Sequence, residues 1–295
     1  MADRPRGGHG AEVLARARLS LLVGTEVVAC QPAGGDHGAS HYRAALADGR
    51  EMFVKQGPGP QIAAEASGLA WLAEAGAVPI PRVLGSGDGV LALEYVPPGQ
   101  PDPATATRFG RDLAVLHAAG APCFGARWAG FIAGLPLPNE PGQPGEPWGS
   151  WYARCRLTPY VRRARDAGLL GQGDVALLDS VADRIGELAG PDEPPSRIHG
   201  DCWSGNVLWS GGRGWLVDPA AHGGHRETDL AMVALFGASY LSQVLAGYQE
   251  TAPLAAGWPA RVPLHQMHPL LVHVCLFGSG YTGPLLAAAR AALAA

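Results

Sequence analysis

The stretch His199-Gly200-Asp201-Cys202-Trp203-Ser204-Gly205-Asn206, followed by Asp218-Pro219-Ala220, decides how this chain is read. Four residues stand between Asp201 and Asn206, and Asp218 comes twelve residues after Asn206. An acid, four residues, an amide and a later acid is the order found in phosphoryl-transfer loops. Asp201 has to reach an acceptor hydroxyl while Asn206, across the same tight loop, reaches a magnesium ion. Asp218 has to arrive from the end of an adjacent strand to hold metal against phosphate. These residue types suit that chemistry, which needs positioning and charge neutralisation more than covalent participation. Asp201 is therefore the expected catalytic base. Asn206 and Asp218 are the expected metal ligands, and His199 braces the loop through its ring nitrogens.

Upstream, the chain supplies the groups such a loop needs. Of its 22 Lys and Arg residues, only Lys55 is lysine. A compact ammonium fits between phosphate oxygens where a planar guanidinium fork often does not. Residues 41–47 and 51–55 flank Asp48-Gly49, a two-residue hairpin signal, so Lys55 falls on the third strand from the start. Residues 61–75 read as a helix stopped by Gly76 and carry Glu65, the expected ion-pair partner of Lys55. Glu74 shares that helix but lies in its last turn, where a carboxylate opposes the helix dipole. Between a strand over 26–31 and the hairpin lies Gly34-Gly35-Asp36-His37-Gly38. This is not G-x-G-x-x-G, yet a glycine turn at Gly34 and Gly35 is placed to offer backbone N–H groups to phosphate.

These pieces define an expected α+β fold in two lobes of protein-kinase-like design. Residues 1–10 are expected to be disordered. Residues 11–96 form a small nucleotide-binding lobe: a helix over 11–22, a small antiparallel sheet including 83–84 and 90–96, and one helix. Pro97-Pro98-Gly99 closes it. Residues 97–295 form a larger, mainly helical catalytic and substrate lobe. Asp102-Pro103 starts a helix that Gly120 ends. Residues 121–147 read as a long Pro/Gly loop, and helices follow over 148–167 and 174–189. Strands 207–209 and 215–217 pair across the glycines at 211–214, and helices run to the end.

Composition narrows the function classes. The chain has 295 residues, 47% of them hydrophobic, and a net charge of −4, so it buries a large core and carries no basic footprint for nucleic acid. Two uncharged stretches, 230–249 and 262–289, are broken by polar residues, Gly or Pro, and read as buried helices rather than membrane spans. The five cysteines form no C-x-x-C pair, which argues against structural zinc and a disulfide framework and fits a cytoplasmic location. His222, His225, His265, His268 and His273 read as pocket-wall or core residues rather than a zinc site, with His225 an expected substrate contact. Trp203, two residues after Asp201, is the expected wall for a sugar. Ser204 is not a hydrolase nucleophile, because Cys202 stands where G-x-S-x-G needs its first glycine.

The chain resembles the fructosamine kinase (ketosamine 3-kinase) family, which has the protein-kinase-like fold and lies near the aminoglycoside phosphotransferases. The resemblance rests on His199 to Val207, on Asp218-Pro219-Ala220 with Gly224-His225-Arg226-Glu227 and Asp229-Leu230-Ala231-Met232, and on Gly34-Gly35-Asp36. It extends to Phe53-Val54-Lys55, Ala64-Glu65, Leu93-Glu94-Tyr95, Phe131-Ile132, Pro138-Asn139 and Leu276-Phe277-Gly278, spanning roughly residues 24–286. It implies ATP and Mg²⁺ as cofactors and phosphorylation of the sugar 3-hydroxyl of a ketosamine, leading to deglycation. It implies that Glu94 to Val96 hold adenine through backbone groups and that Asp229 braces the catalytic loop. Cys202 replaces the usual Leu, and His37-Gly38 replaces the common Ile-Asn. The glycine turn lacks the cysteine of some eukaryotic members, so a disulfide-linked dimer is not expected and a monomer is favoured. Independently of the family, ten residues separate Asp218 from Asp229 and no Ala-Pro-Glu follows. That leaves no room for a long activation loop, and points to a small-molecule or amine-linked sugar acceptor rather than a folded protein surface.

Overall fold

The computed structural model describes residues 16–36 and 38–295. The expectations for residues 1–15 and for His37 lie outside the described residues. Helix α1, described over 16–23, precedes a five-stranded antiparallel sheet of β1 (Val27–Asp36), β2 (Ala39–Leu46), β3 (Glu51–Gln56), β4 (Val83–Gly87) and β5 (Val90–Glu94), in the order β1-β2-β3-β5-β4. Period-two alternation sorts its side chains. Met52, Val54, Val90 and Ala92 pack with Leu19 of α1 on one face. Leu91, Leu93 and Phe53 face helix α2 (Gly59–Ala73), meeting Ile62 and Leu69. Lys55 has the parity of Phe53, so it points toward α2 and Glu65.

One sequence expectation is corrected here. The strand expected over 26–31 runs on to Asp36, so Gly34 and Gly35 are not a turn: they pair with His41 and Ser40. A bulge between Pro32 and Gly34 carries the ladder past the proline. A Cβ at Gly35 would run into the Ala39 carbonyl oxygen, so the close approach of the two arms requires glycine.

Beyond residue 97 the chain is mainly helical. Helix α3 (Pro103–Ala118) starts as expected, with the Asp102 carboxylate accepting the Thr105 N–H at 2.7 Å. The stretch 121–147 is not a plain loop: it contains a short hairpin, β6 (Gly130–Ile132) and β7 (Leu135–Leu137). A long helix follows as α4 (Trp148–Tyr152), a π-helical turn (Ala153–Leu157) and α5 (Thr158–Asp166). The π turn carries the buried Arg156, which donates to the Pro138 carbonyl and, at 2.9 Å, to Asn139 Oδ1, anchoring the base of that hairpin.

Helices α6 (Gln172–Asp183) and α7 (Ile185–Leu188) lead to β8 (Ser196–Ile198). Strands β9 (Val207–Ser210) and β10 (Arg213–Leu216) pair as a hairpin, and β11 (His222–Gly224) pairs back on β8. Helices α8 (Arg226–Leu235), α9 (Leu241–Thr251), α10 (Trp258–Phe277) and α11 (Thr282–Ala294) complete the chain. The core of this region gathers Trp151, Tyr152, Tyr160 and Leu271. Among the described residues, no helix is long and apolar enough to cross a membrane.

Candidate active site

The site forms where three short elements end together. Strand β8 delivers His199-Gly200-Asp201, and the β9–β10 hairpin returns the chain to Asp218. The pairing of His222 with Ile198 then ties the two loops together. Asn206 Nδ2 donates to the Asp201 carbonyl oxygen at 2.9 Å and to Asp201 Oδ2 at 3.0 Å. Asp218 adopts φ of +54°, a left-handed conformation sparsely used by residues other than glycine. From the sheet, Lys55 Nζ donates to Glu65 Oε1 at 2.9 Å and also contacts Asp218 Oδ1. Lys55 is buried, with 7% of its surface exposed. The ion pair and the loop thus meet in one cleft, a cavity of about 170 Å³ lined by Lys55, Glu65, Asp201, Asn206 and Asp218.

Beneath the loop lies a buried polar scaffold. The Asp229 carboxylate accepts the N–H groups of His199 at 2.7 Å and Gly200 at 2.9 Å. It also takes a bond from His117 Nε2 at 3.1 Å, while His117 Nδ1 accepts from the Tyr248 hydroxyl at 2.8 Å. Burial acts to raise the Asp229 pKa, but the hydrogen bond from His117, with help from the His199 N–H, brings it below the usual value. His199 Nδ1 accepts from the Asp201 N–H at 3.2 Å, so Nε2 carries the proton and donates to the Val217 carbonyl at 2.9 Å. Burial lowers the His199 pKa, in keeping with this neutral tautomer. Gly200 is required: its φ is +81°, and a Cβ there would collide with the Ala220 carbonyl oxygen. Asp229→Asn turns an amide toward these inward-facing donors. It is expected to destabilise the protein by about 1–3 kcal/mol, read as a lower urea midpoint; an unchanged midpoint would refute the bracing role.

Asp201 itself is perturbed. Burial pushes its pKa up to about 7, the Asn206 hydrogen bond works against that rise, and the Asp229 charge adds to it. Trp203 stands beside it, 37% exposed, with its ring edge-to-face against Phe236 at 6.2 Å. Asp201 and Trp203 also line a second cavity of about 390 Å³, which they share with the tip of the β6–β7 hairpin and with α10.

The remaining expected site residues are placed differently. Ala39, opposite Asp36 in the ladder, lines the cleft cavity, whereas Gly34 and Gly35 do not. Glu94 donates its N–H to the Arg82 carbonyl at 2.9 Å, and its carboxylate accepts the Arg82 N–H at 3.3 Å. Val96 is buried just beyond it.

His225, an expected substrate contact, lines neither cavity. It is a buried N-cap whose Nδ1 accepts the Glu227 N–H at 3.2 Å and whose ring lies 5.0 Å from Trp148. Glu227 lies with His225 and His265, their ligand atoms all within 4.8 Å of one another. Both Glu227 oxygens are taken by Arg261, at 2.9 and 2.5 Å, and the group is a buried ion-pair network. Sequence reading missed His117, Tyr248, the hairpin tip at Ile132-Ala133, Phe236 and Tyr281. Each comes from an element far along the chain, and no local pattern announces it.

A two-lobed fold with a strand lysine, a helix glutamate and this Asp201–Asn206 loop around one cleft defines a phosphotransferase of the protein-kinase-like class. The fructosamine kinase family model matches residues 25–293, and the chain belongs to that family. A Klebsiella aerogenes protein named a probable ketoamine kinase is 32% identical over 256 residues, covering 84% of this chain and 86% of that protein. The crystal structure of a Thermobifida fusca protein that bears the name of a fructosamine-3-kinase matches with a TM-score of 0.92 at 51% identity, covering 95% of this chain and 98% of that one. An aminoglycoside phosphotransferase solved with ADP shares the fold at a TM-score of 0.65 and 13% identity, covering 93% of this chain and 97% of that one. The protein is accordingly an ATP-dependent sugar kinase.

Proposed function

We propose that the protein transfers the γ-phosphoryl group of ATP to the 3-hydroxyl of a ketosamine, a fructosamine or ribulosamine formed on a free amine or on lysine. The observation that carries this reading is the single cleft in which Asp201 faces Lys55, Glu65, Asn206 and Asp218 with Trp203 alongside. Asp201 accepts the proton of the 3-hydroxyl. The hydroxyl oxygen bonds to the γ-phosphorus, the bond from that phosphorus to the bridging oxygen breaks, and ADP departs. Lys55, aimed by Glu65, holds the nucleotide phosphates beside the strand end at Ala39. Adenine is held at the hinge through backbone groups of the Glu94–Val96 segment. Trp203 forms a wall for the sugar. Phosphorylation at this position leads to loss of the sugar from the amine, so the reaction serves deglycation.

The donor set fits magnesium. Asn206 and Asp218 offer hard oxygen ligands, and the Lys55 ammonium already lies against Asp218 Oδ1, at a position that attracts a cation. When bound there, Mg²⁺ neutralises charge on the phosphates. The protein's own part is to hold those oxygens in place and to keep Asp201 free of the metal for proton transfer.

An aminoglycoside acceptor is not favoured. Such polycationic molecules need several carboxylates, and among the described residues Asp201 is the single acid lining the second cavity. An ATP-consumption panel of ribulose-lysine, fructose-lysine, an aminoglycoside and a plain pentose tests the reading, and turnover of the aminoglycoside alone would overturn it. The pH dependence is a further expectation. Asp201 acts only when ionised, and its raised pKa keeps it protonated below about 7. With saturating ATP, kcat/KM for the sugar is expected to rise with pH through about 7 and then level. A profile flat between about pH 5.5 and 8 would remove Asp201 from the role of base.

A further inference from the structure

The cavity of about 390 Å³ that opens beside Asp201 and Trp203 has walls unlike those of the phosphate cleft. Trp203 meets Phe236 edge-to-face at 6.2 Å, Phe236 lies 4.7 Å from His273, and His273 lies 4.8 Å from Tyr281. Phe277 follows at 6.0 Å from Tyr281. Leu276 and Met232 also line it, and the hairpin tip Ile132-Ala133 is shared with the cleft. Among the described residues, no Lys or Arg lines the cavity, and Asp201, at the end shared with the cleft, is its one carboxylate. Trp203 is 37% exposed, Phe236 38% and Phe277 57%, so three large rings stay open along one concave wall next to the reacting position. Large aromatics left open in a cavity with one polar end have the composition of a ligand site rather than of a core.

We infer that this cavity receives the substituent on the ketosamine nitrogen and selects amines that carry an apolar or aromatic group over amines that carry a carboxylate. The inference rests on the ketosamine reading above and adds the class of amine. In a ketosamine the nitrogen is on C1 and the reacting hydroxyl on C3, so with the hydroxyl at Asp201 the substituent starts about 5 Å away. The phosphate side of Asp201 is the Lys55 and Asp218 cleft, which leaves the aromatic cavity as the way out for the substituent. The secondary nitrogen is protonated, and the Asp201 carboxylate and the ring faces of Trp203 and Phe236 both favour a cation there. A carboxylate carried further in would lose its water against aromatic rings with no cation to meet it, which is costly.

The test is a pair of fructose adducts, one on benzylamine and one on glycine, compared by kcat/KM for phosphorylation with saturating ATP. The benzylamine adduct is expected to be preferred by about tenfold or more. Phe236→Ala should shrink that preference by raising KM for the benzylamine adduct. Leu276→Lys should improve the glycine adduct by placing an ammonium in the cavity. Both positions are partly exposed, and matching unfolding midpoints would show that each variant keeps the fold. Equal kcat/KM for the two adducts in the wild-type protein, or a preference unmoved by both variants, would overturn the subsite. Failure to phosphorylate either adduct, with ATP consumed on another sugar, would overturn the ketosamine reading instead.

Discussion

Asp201→Asn is expected to lower kcat by about 10²–10⁴-fold while leaving ATP affinity near that of the wild-type protein. The amide cannot accept the hydroxyl proton, which is the step assigned to the carboxylate. Nothing in the nucleotide half of the cleft depends on that charge, since Lys55 is held by Glu65 at 2.9 Å and by Asp218. The loop should keep its shape, because the Asn206 bond to the Asp201 backbone carbonyl and the Asp229 bonds to His199 and Gly200 are untouched. The burial that raises the Asp201 pKa also means that removing the charge relieves a cost, so the variant is expected to be at least as stable above pH 7. The sign follows from proton counts. The unfolded chain releases this proton at the ordinary carboxylate pKa and the folded chain holds it to about 7, so stability contributed here falls as pH rises across that window. Steady-state kinetics beside an ATP-binding titration checks the prediction, and wild-type turnover would remove Asp201 from the chemistry.

Lys55→Arg is the second substitution with a large expected effect: a loss of kcat/KM on the order of 10²-fold despite retained charge. Lys55 is buried between a strand, a helix glutamate and the Asp218 loop, where a planar fork cannot occupy the volume of an ammonium. Its two carboxylate partners come from different lobes, so a longer, flatter group would have to displace one of them. Kinetics with ATP varied at saturating sugar measures the effect. Full activity in this variant would make the one lysine of the chain incidental to catalysis.

Much of the candidate site's arrangement could be read along the chain because its parts are local. Asp201 and Asn206 share one tight loop, and Asp218 ends the hairpin that starts at Val207. Asp48-Gly49 announced the hairpin that carries Lys55, and period-two alternation then decides that Lys55 faces α2. Other readings failed for local reasons of their own. Gly34 and Gly35 look like a turn, yet both lie in a ladder, where close approach at Gly35 leaves no room for a Cβ and Gly34 takes a φ of +109°. His225 follows the site closely in sequence, but at the start of α8 its ring turns inward to cap the helix. The hairpin over Gly130–Ile132 and Leu135–Leu137 was hidden because three-residue strands are too short to show alternation.

The sequence alone determined the reaction class, since loop spacing and residue type dictate which groups can meet a phosphate and a hydroxyl. Tertiary structure alone decided what holds those groups and what lies beside them. His117 reaches Asp229 across 112 residues and Tyr248 across 131. Trp203, Phe236, His273 and Tyr281 make one wall from separate elements. Contacts between distant residues follow from how helices pack on the finished core, and no short window of sequence carries that information.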